Sequence, residues 1–386
     1  MTNEPFGLYV HIPFCQARCT YCDFNTVTGM TAADHRRYVA CLLRELGQER
    51  PPGSVLVSLY FGGGTPSLID PELLHRVIES VRGWAPQIDD HWEVTVEVNP
   101  GTVTLERFRA LREAGVNRLS IGAQARQDHH LRALNRIHTV AEIDRTVDLA
   151  RAAGFQNVNL DAIYGLPQQT LEEWQETVDG LLALAPDHLS LYALTVEAGT
   201  PLHRAVRRGT AVLPPSDAVA DMADWAEERL TTAGLYPYEI SNYARPGKES
   251  RHNRLYWELK PYLALGAGAH AYVPGRRWWN LRGVRRYMET VEGGADPREG
   301  EELLSPEEEM RQFLWLGLRE REGVSCLAFQ RRFGLDVYRA FGDVLQDLAA
   351  RGLLTTTPER LFLTRRGRDL ANWVAEMLVD APVSRR

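Results

Sequence analysis

The stretch His11–Asn25, HIPFCQARCTYCDFN, decides how this chain is read. It puts three of the five cysteines, Cys15, Cys19 and Cys22, into one loop behind a short apolar run. That run, Leu8–Ile12, has the β-branched and apolar character of a strand. Three thiols complete neither a tetrahedral zinc site nor a four-iron cube. A missing fourth ligand leaves one coordination position for a reactant, and the spacing lets a single tight loop wrap three corners of a cube. The competing reading is a zinc ion completed by a distant side chain such as His11. A disulfide framework does not fit, because it needs an even set of cysteines spread through a small secreted domain. Cys41 in VACLLRELG and Cys326 near a helix start read as small packed side chains.

Outward from the loop, short apolar runs alternate with amphipathic ones. Val55–Phe61, Val94–Val98, Arg118–Ile121, Val158–Asp161 and His188–Leu191 follow as further strands. Pro71–Arg82, Leu105–Ala114, Ile143–Ala153 and Leu171–Leu184 read as helices, with Gly83, Gly115 and Gly154 as terminators. The alternation predicts a parallel sheet with right-handed crossovers. Six units fall short of a closed eightfold barrel, so the fold class expected is α/β, a partial (β/α)6 TIM-like barrel. Residues 1–235 form that barrel and 236–304 a connecting segment. Residues 305–386 form a C-terminal helical domain whose helix-helix-wing order resembles a winged-helix module. Within 214–243 a helix over Pro214–Gly234 and a strand over Tyr238–Tyr243 are expected.

Polar residues collect where these strands end, the face on which parallel α/β sheets bind ligands. The second strand runs into FGGGTPS, where glycines let backbone groups approach a ligand. Glu97 in TVEVNP is a charge in a strand expected to be buried, and so needs a partner. Gln124 in RLSIGAQ, Arg136 in LNRIH and Asp161 in NLDAIYGLP offer amide, guanidinium and carboxylate groups suited to carboxylate and ribose. Each alone also fits a bland reading as turn, surface charge or solvated side chain. Their shared rim argues for a pocket.

Cys15, Cys19, Tyr21 and Cys22 resemble the radical S-adenosylmethionine superfamily motif, Cys-x3-Cys-x2-Cys with an aromatic before the last cysteine. The resemblance implies a [4Fe-4S] cluster on the three cysteines and S-adenosylmethionine on its open iron. YVHIPFC, FGGGTP, EVNP, RLSIGAQ, the LNRIH arginine and DAIYGLP are similar to the oxygen-independent coproporphyrinogen III dehydrogenase group. By that resemblance the S-adenosylmethionine contacts are Tyr9, Gly63, Gly64, Thr65, Glu97, Gln124, Arg136 and Asp161. The dehydrogenases of the group carry another cysteine two positions after the third, where this chain has Phe24 in Cys22-Asp23-Phe24. They also carry an extension ahead of the cluster strand, which here starts by Leu8. The HemW-type haem-chaperone branch carries His-Asn-x-x-Tyr-Trp, present as His252, Asn253, Arg254, Leu255, Tyr256 and Trp257.

Membership of that branch implies haem as bound cargo, with transfer to respiratory haemoproteins. It implies His252 as the haem contact, with His270 and His11 as competitors. A homodimer and peripheral membrane association at the point of delivery come from the same analogy. The rival readings are a coproporphyrinogen dehydrogenase and a radical enzyme on an unrelated substrate. Composition agrees with a globular protein, at 44% hydrophobic and 25% charged residues. Net charge −7 excludes a generally basic nucleic-acid-binding surface. The start of the chain lacks the basic and apolar segments of a secretory signal, and no run suits a bilayer, so a cytoplasmic location is expected.

Overall fold

The computed structural model describes residues 4–384. Six strands form the expected parallel core: β1 (Pro5–Ile12), β2 (Val55–Gly63), β3 (Ile88–Val98), β4 (Arg118–Gln124), β5 (Val158–Tyr164) and β6 (His188–Ala193). Helices α1 (Ala32–Gln48), α2 (Pro71–Trp84), α3 (Leu105–Glu113), α4 (Val140–Ala152) and α5 (Leu171–Leu182) link them. Thr31, Thr139 and Thr170 start three of these helices with capping boxes, closing on Asp34, Glu142 and Glu173. Gly115 and Gly154 follow their helices at positive φ. Gly83 does not terminate α2 but lies in its last turn, before Ala85 caps the helix.

Each strand alternates by face. Leu59 and Phe61, Val94 and Val96, Leu119 and Ile121, and Leu189 and Leu191 join the apolar core. Their sequence neighbours point into the barrel and are polar: Tyr60, Glu97, Arg118, Ser120, Asn159, Asp161 and Ser190 line its interior. The strands are therefore not apolar on both faces. The barrel's apolar side faces the helices, and its inner side is a polar ladder.

The segment 236–304, expected to be a connection, extends the same sheet. After α6 (Ser216–Thr232) come β7 (Tyr236–Pro237) and β8 (Asn242–Ala244), which pair beside β6. Two short strands thus replace the single one expected over 238–243, because Glu239 accepts the backbone N–H of Ser241 and turns the chain. On the other flank β9 (Tyr262–Leu265) runs parallel to β1, followed by antiparallel β10 (His270–Val273), β11 (Arg276–Asn280) and β12 (Arg298–Leu303). The sheet order is β12-β11-β10-β9-β1-β2-β3-β4-β5-β6-β8-β7. One margin ends in the exposed charges of Glu299, Glu301 and Glu302, the other in the two-residue β7 with Pro237.

Helix α7 (Arg251–Trp257) crosses the N-terminal end of the barrel. Its first turn sits on the buried carboxylate of Glu93, which accepts the N–H groups of Arg251 (3.1 Å) and His252 (3.3 Å). A negative charge there complements the helix dipole. The C-terminal domain packs helices Pro306–Gly317, Cys326–Phe333 and Val337–Ala350 against an antiparallel sheet of Val324–Ser325, Arg360–Leu363 and Leu354–Thr356. It closes a separate core around Phe329, Phe341 and Leu348. Cys41 and Cys326 are buried, as expected of packed side chains.

Candidate cluster and cofactor site

The cysteine loop leaves β1 at the C-terminal mouth of the barrel and is tied down on both sides. Thr20 N–H donates to the Leu134 carbonyl (3.0 Å), and Asn135 Nδ2 donates to the Arg18 carbonyl (2.8 Å). Asn25 closes the far end, donating to the carbonyls of Ala267 and Arg282 at 2.9 Å each. These contacts fix the loop against the β4–α4 connection and the β9–β11 flank.

Two sulfurs have side-chain donors. Arg136 Nη1 donates to Cys19 Sγ at 3.4 Å, and Thr65 Oγ1 points to Cys15 Sγ at 3.8 Å. Arg136 is held by Asn99 Oδ1 and the Gly122 carbonyl, both at 2.7 Å, while Asn99 also donates to Thr65 Oγ1 at 2.6 Å. Strands β2, β3 and β4 thereby position both donors. Gly63 lies at φ +115°, and a Cβ there would come within 2.4 Å of the His11 ring. At Gly64 a Cβ would stand 2.7 Å from the Phe14 carbonyl oxygen, so this turn has to be glycine.

Below the loop opens a cavity of about 410 Å³. Cys15, Cys19, Cys22, Gly63, Gly64, Glu97, Gln124, Arg136 and Asp161 all line it. Glu97 accepts from Tyr60 Oη and from Gly63 N–H, both at 2.9 Å. Burial pushes its carboxyl up to about 7, and the nearby charge of Asp161 adds to the effect. Asp161 is also raised by burial, against hydrogen bonds from Asn159 Nδ2 (2.8 Å) and Ser120 Oγ (3.0 Å). Two buried carboxylates under a shared cavity suit a cationic or hydroxyl-rich ligand. Gln124 holds φ at +68°, a strained value for a side chain other than glycine, and this strain sits on the cavity wall.

Three of the expected site residues lie elsewhere. Thr65 is behind the loop, directed at Cys15 rather than into the cavity. Tyr9 does not line the cavity; its hydroxyl pairs with His11 Nδ1 at 3.0 Å and its ring stacks on Tyr60. His252 is buried in α7 with both nitrogens engaged, Nδ1 with Ser58 Oγ and Nε2 with Tyr256 Oη, each at 2.8 Å. Burial, and then the Arg118 charge, pull its pKa down to about 3. A haem contact at His252 would have to displace Ser58 Oγ or Tyr256 Oη. His11 is likewise occupied, by Tyr9 and by the Asn25 carbonyl at 2.8 Å, and does not complete a zinc site. His270 is exposed and stacks on Trp279.

Asn99, Arg118, Tyr60 and Tyr192 line the cavity although the motifs did not single them out. For Asn99, Arg118 and Tyr60 the signal was period two, each lying an even number of residues from a chosen neighbour on the same strand or its end, whereas no chosen residue lay on β6 to point to Tyr192.

Residues 9–181 match the model of the radical SAM superfamily, and residues 304–370 match the HemN C-terminal domain. The chain is 34% identical over 370 residues to the heme chaperone HemW of Bacillus subtilis, covering 95% of this chain and 97% of that one. It is 37% identical over 383 residues to the heme chaperone HemW of Mycobacterium tuberculosis, covering 98% and 96%. The chain belongs to the HemW family of the radical SAM superfamily. The crystal structure of coproporphyrinogen III oxidase (HemN) from Escherichia coli superposes with a TM-score of 0.84 at 25% identity, covering 98% of this chain and 91% of that one. This chain thus shares with that enzyme both the barrel and the C-terminal helical domain.

Superfamily membership implies a [4Fe-4S] cluster and S-adenosylmethionine, and the residues present fit both. Three sulfurs come from one loop, with Arg136 and Thr65 aimed at two of them. The glycine turn and the polar walls of the cavity lie directly beneath.

Proposed function

We propose that this chain is a haem chaperone that binds haem and transfers it to respiratory haemoproteins in the cytoplasm. Near-full-length similarity to two proteins named heme chaperone HemW is the observation that carries the reading. Phe24 supports it: the position that bears a further cysteine in the dehydrogenases is here an apolar ring, 62% exposed at the cavity mouth.

In this reading Cys15, Cys19 and Cys22 hold the [4Fe-4S] cluster, and Arg136 and Thr65 stabilise negative charge on the sulfurs. Gly63 and Gly64 present backbone to the aminoacyl end of S-adenosylmethionine. Glu97, Gln124 and Asp161 orient its amino, carboxylate and ribose groups, and Tyr9 buttresses them through Tyr60. The cluster supplies one-electron reduction of the bound sulfonium. The barrel takes 1–235, the sheet extension 236–304 and the C-terminal domain 305–386. No described helix is long and apolar enough to cross a membrane; peripheral membrane association belongs to this proposal. A homodimer belongs to the same proposal.

The test is anaerobic reconstitution with iron and sulfide quantified and haem titrated in parallel. About four irons and four sulfides per chain, with saturable haem uptake passed on to an apo-haemoprotein, are expected. Stoichiometric zinc without sulfide overturns the cluster assignment. The similarity to HemN favours a second reading, oxidative decarboxylation of coproporphyrinogen. Conversion to protoporphyrinogen at a catalytic rate, with reductant and S-adenosylmethionine, would establish that reading instead.

A further inference from the structure

Outside the cofactor cavity, two histidines converge on one carboxylate. His129 and His130 are neighbours in the short helix Asp128–Ala133, between β4 and α4, and Glu173 stands in the first turn of α5. His129 Nε2 lies 3.1 Å from Glu173 Oε1, and His130 Nε2 lies 3.2 Å from Glu173 Oε2. Successive side chains on a helix point about 100° apart and do not ordinarily face a common group. Here both rings reach the same one, with their centroids 4.1 Å apart. Three groups bearing lone pairs meet at this point, so either protons on the rings or one cation must lie between them.

The spacing and the scaffold are those of a metal site. One ligand atom from each of the three residues lies within 4.8 Å of the other two. A tetrahedral ion with bonds of about 2.0–2.1 Å sets its ligands ~3.3 Å apart, close to both imidazole–carboxylate separations. Glu173 is held from behind, its Oε2 accepting the Thr170 N–H at 3.0 Å in the capping box of α5. Gln127 ties the two helices together, donating to the Glu173 carbonyl (2.8 Å) and accepting from Thr177 Oγ1 (3.0 Å). Contacts of this outer kind orient ligating groups. The His130 side chain is 3% exposed and that of His129 57%, so the set is anchored on one side and open to solvent on the other. Two imidazoles with one carboxylate suit zinc and its first-row neighbours, whereas magnesium and calcium take oxygen ligands.

We propose that His129, His130 and Glu173 bind a divalent first-row transition ion of the zinc class, with solvent completing its coordination. The site is independent of the cysteine loop and of the haem-chaperone reading. Its ion cross-links the helix Asp128–Ala133 to α5, directly ahead of the residues that hold that loop. The Ala133 and Leu134 carbonyls accept from Thr20 Oγ1 (3.2 Å) and Thr20 N–H (3.0 Å), and Arg136 donates to Cys19 Sγ. An ion that binds only the folded chain stabilises this support.

The experiment uses the full-length, untagged, cluster-reconstituted chain, stripped with a chelator and dialysed against Zn²⁺, Co²⁺ or Mg²⁺. Wild type is expected to retain about one Zn²⁺ per chain besides the cluster iron and to hold Mg²⁺ far more weakly. His129→Ala and Glu173→Gln should each weaken Zn²⁺ by about tenfold or more, since even an outer-shell contact is worth that much. Iron and sulfide content should stay at the wild-type level in both. His129 is exposed, and a glutamine at 173 still accepts from Thr170, so neither variant removes a packing or capping contact. Bound Co²⁺ should give visible ligand-field bands without the thiolate charge-transfer absorption that capture by the cysteine loop would produce. A wild-type chain that retains no ion, Zn²⁺ affinity unchanged in both variants, or a thiolate band with Co²⁺ overturns the site. Zn²⁺ binding that leaves the urea midpoint where it was keeps the site and overturns the cross-link.

Discussion

The barrel interior and the C-terminal core are built on opposite principles. Inside the barrel Arg118, Glu97 and Asp161 are taken out of bulk water around a cavity, at an energetic cost that hydrogen bonds only partly offset. In the C-terminal domain Leu314, Phe329, Phe341 and Leu348 close over one another, and among the described residues no buried polar or charged side chain lies beyond Asn280. The first region gives up stability to keep groups poised for a ligand; the second contributes stability. The same chain therefore contains one core that binds and one that holds.

The largest effect expected from this contrast is on the side that holds. Phe329 is fully buried against Phe313, Phe333 and Phe341, so Phe329→Ala should destabilise the C-terminal domain by about 3–5 kcal/mol. Urea unfolding would measure this, and iron content should be retained because no C-terminal residue lines the cofactor cavity. Equal loss of cluster would break the separation.

Next comes a pH dependence to which Glu97 contributes from inside the barrel. Glu97 sits at about 7 in the fold against an ordinary 4.5, so the folded state favours its neutral form. The associated stability is present below pH 4.5 and lost as pH rises through 7, about 3 kcal/mol in all. In Glu97→Gln the amide oxygen can still accept from Gly63 N–H while the amide N–H donates to Tyr60 Oη, and the variant should remove the Glu97 share of the decline between pH 5 and 8 in urea midpoints, leaving the shares of Glu45 and Glu320. An unchanged slope would assign the decline to another group. Burial also pushes Glu45 up to about 7, beneath Asn280, Gly266 and Tyr287, and it remains in the variant as an internal reference.

The smallest effect is on binding. The same Glu97→Gln substitution should weaken S-adenosylmethionine about tenfold, or ~1.4 kcal/mol, by equilibrium dialysis. A variant that is stabler at pH 8 yet binds less well would sharpen the contrast. Wild-type affinity would take Glu97 out of the site.

What could be read from the sequence follows the same divide. The six core strands were visible because Leu59, Val94, Leu119 and Leu160 mark their apolar face. Their ends were not, since Gln124 and Ala193 continue the ladder past the last apolar residue. Arg118 could be read as a strand start but not as a cavity wall, because inward orientation depends on register rather than residue type. The cysteines, the glycine turn and Asp161 reach the cavity as their spacing suggested. Thr65 and Tyr9 do not: Thr65 lies past the end of β2 with its hydroxyl on Cys15, and Tyr9 faces the barrel interior but is stacked on Tyr60 with its hydroxyl taken by His11. HNRLYW divides for a helical reason: His252 and Trp257 are five residues apart on α7, which puts them on different sides. The two-residue strand Val324–Ser325 is too short to give a pattern at all.

The margins of the twelve-stranded sheet carry a consequence for self-association. The charged edge strand β12 carries Glu299 beside Glu301 and Glu302, which pair with Arg276 and Arg277, and such charges disfavour docking of a second copy along it, while Pro237 leaves β7 one donor short. Edge-to-edge polymerisation is thus discouraged at both ends. Both margins of the sheet that carries the cysteine loop are thereby protected from intermolecular β-pairing.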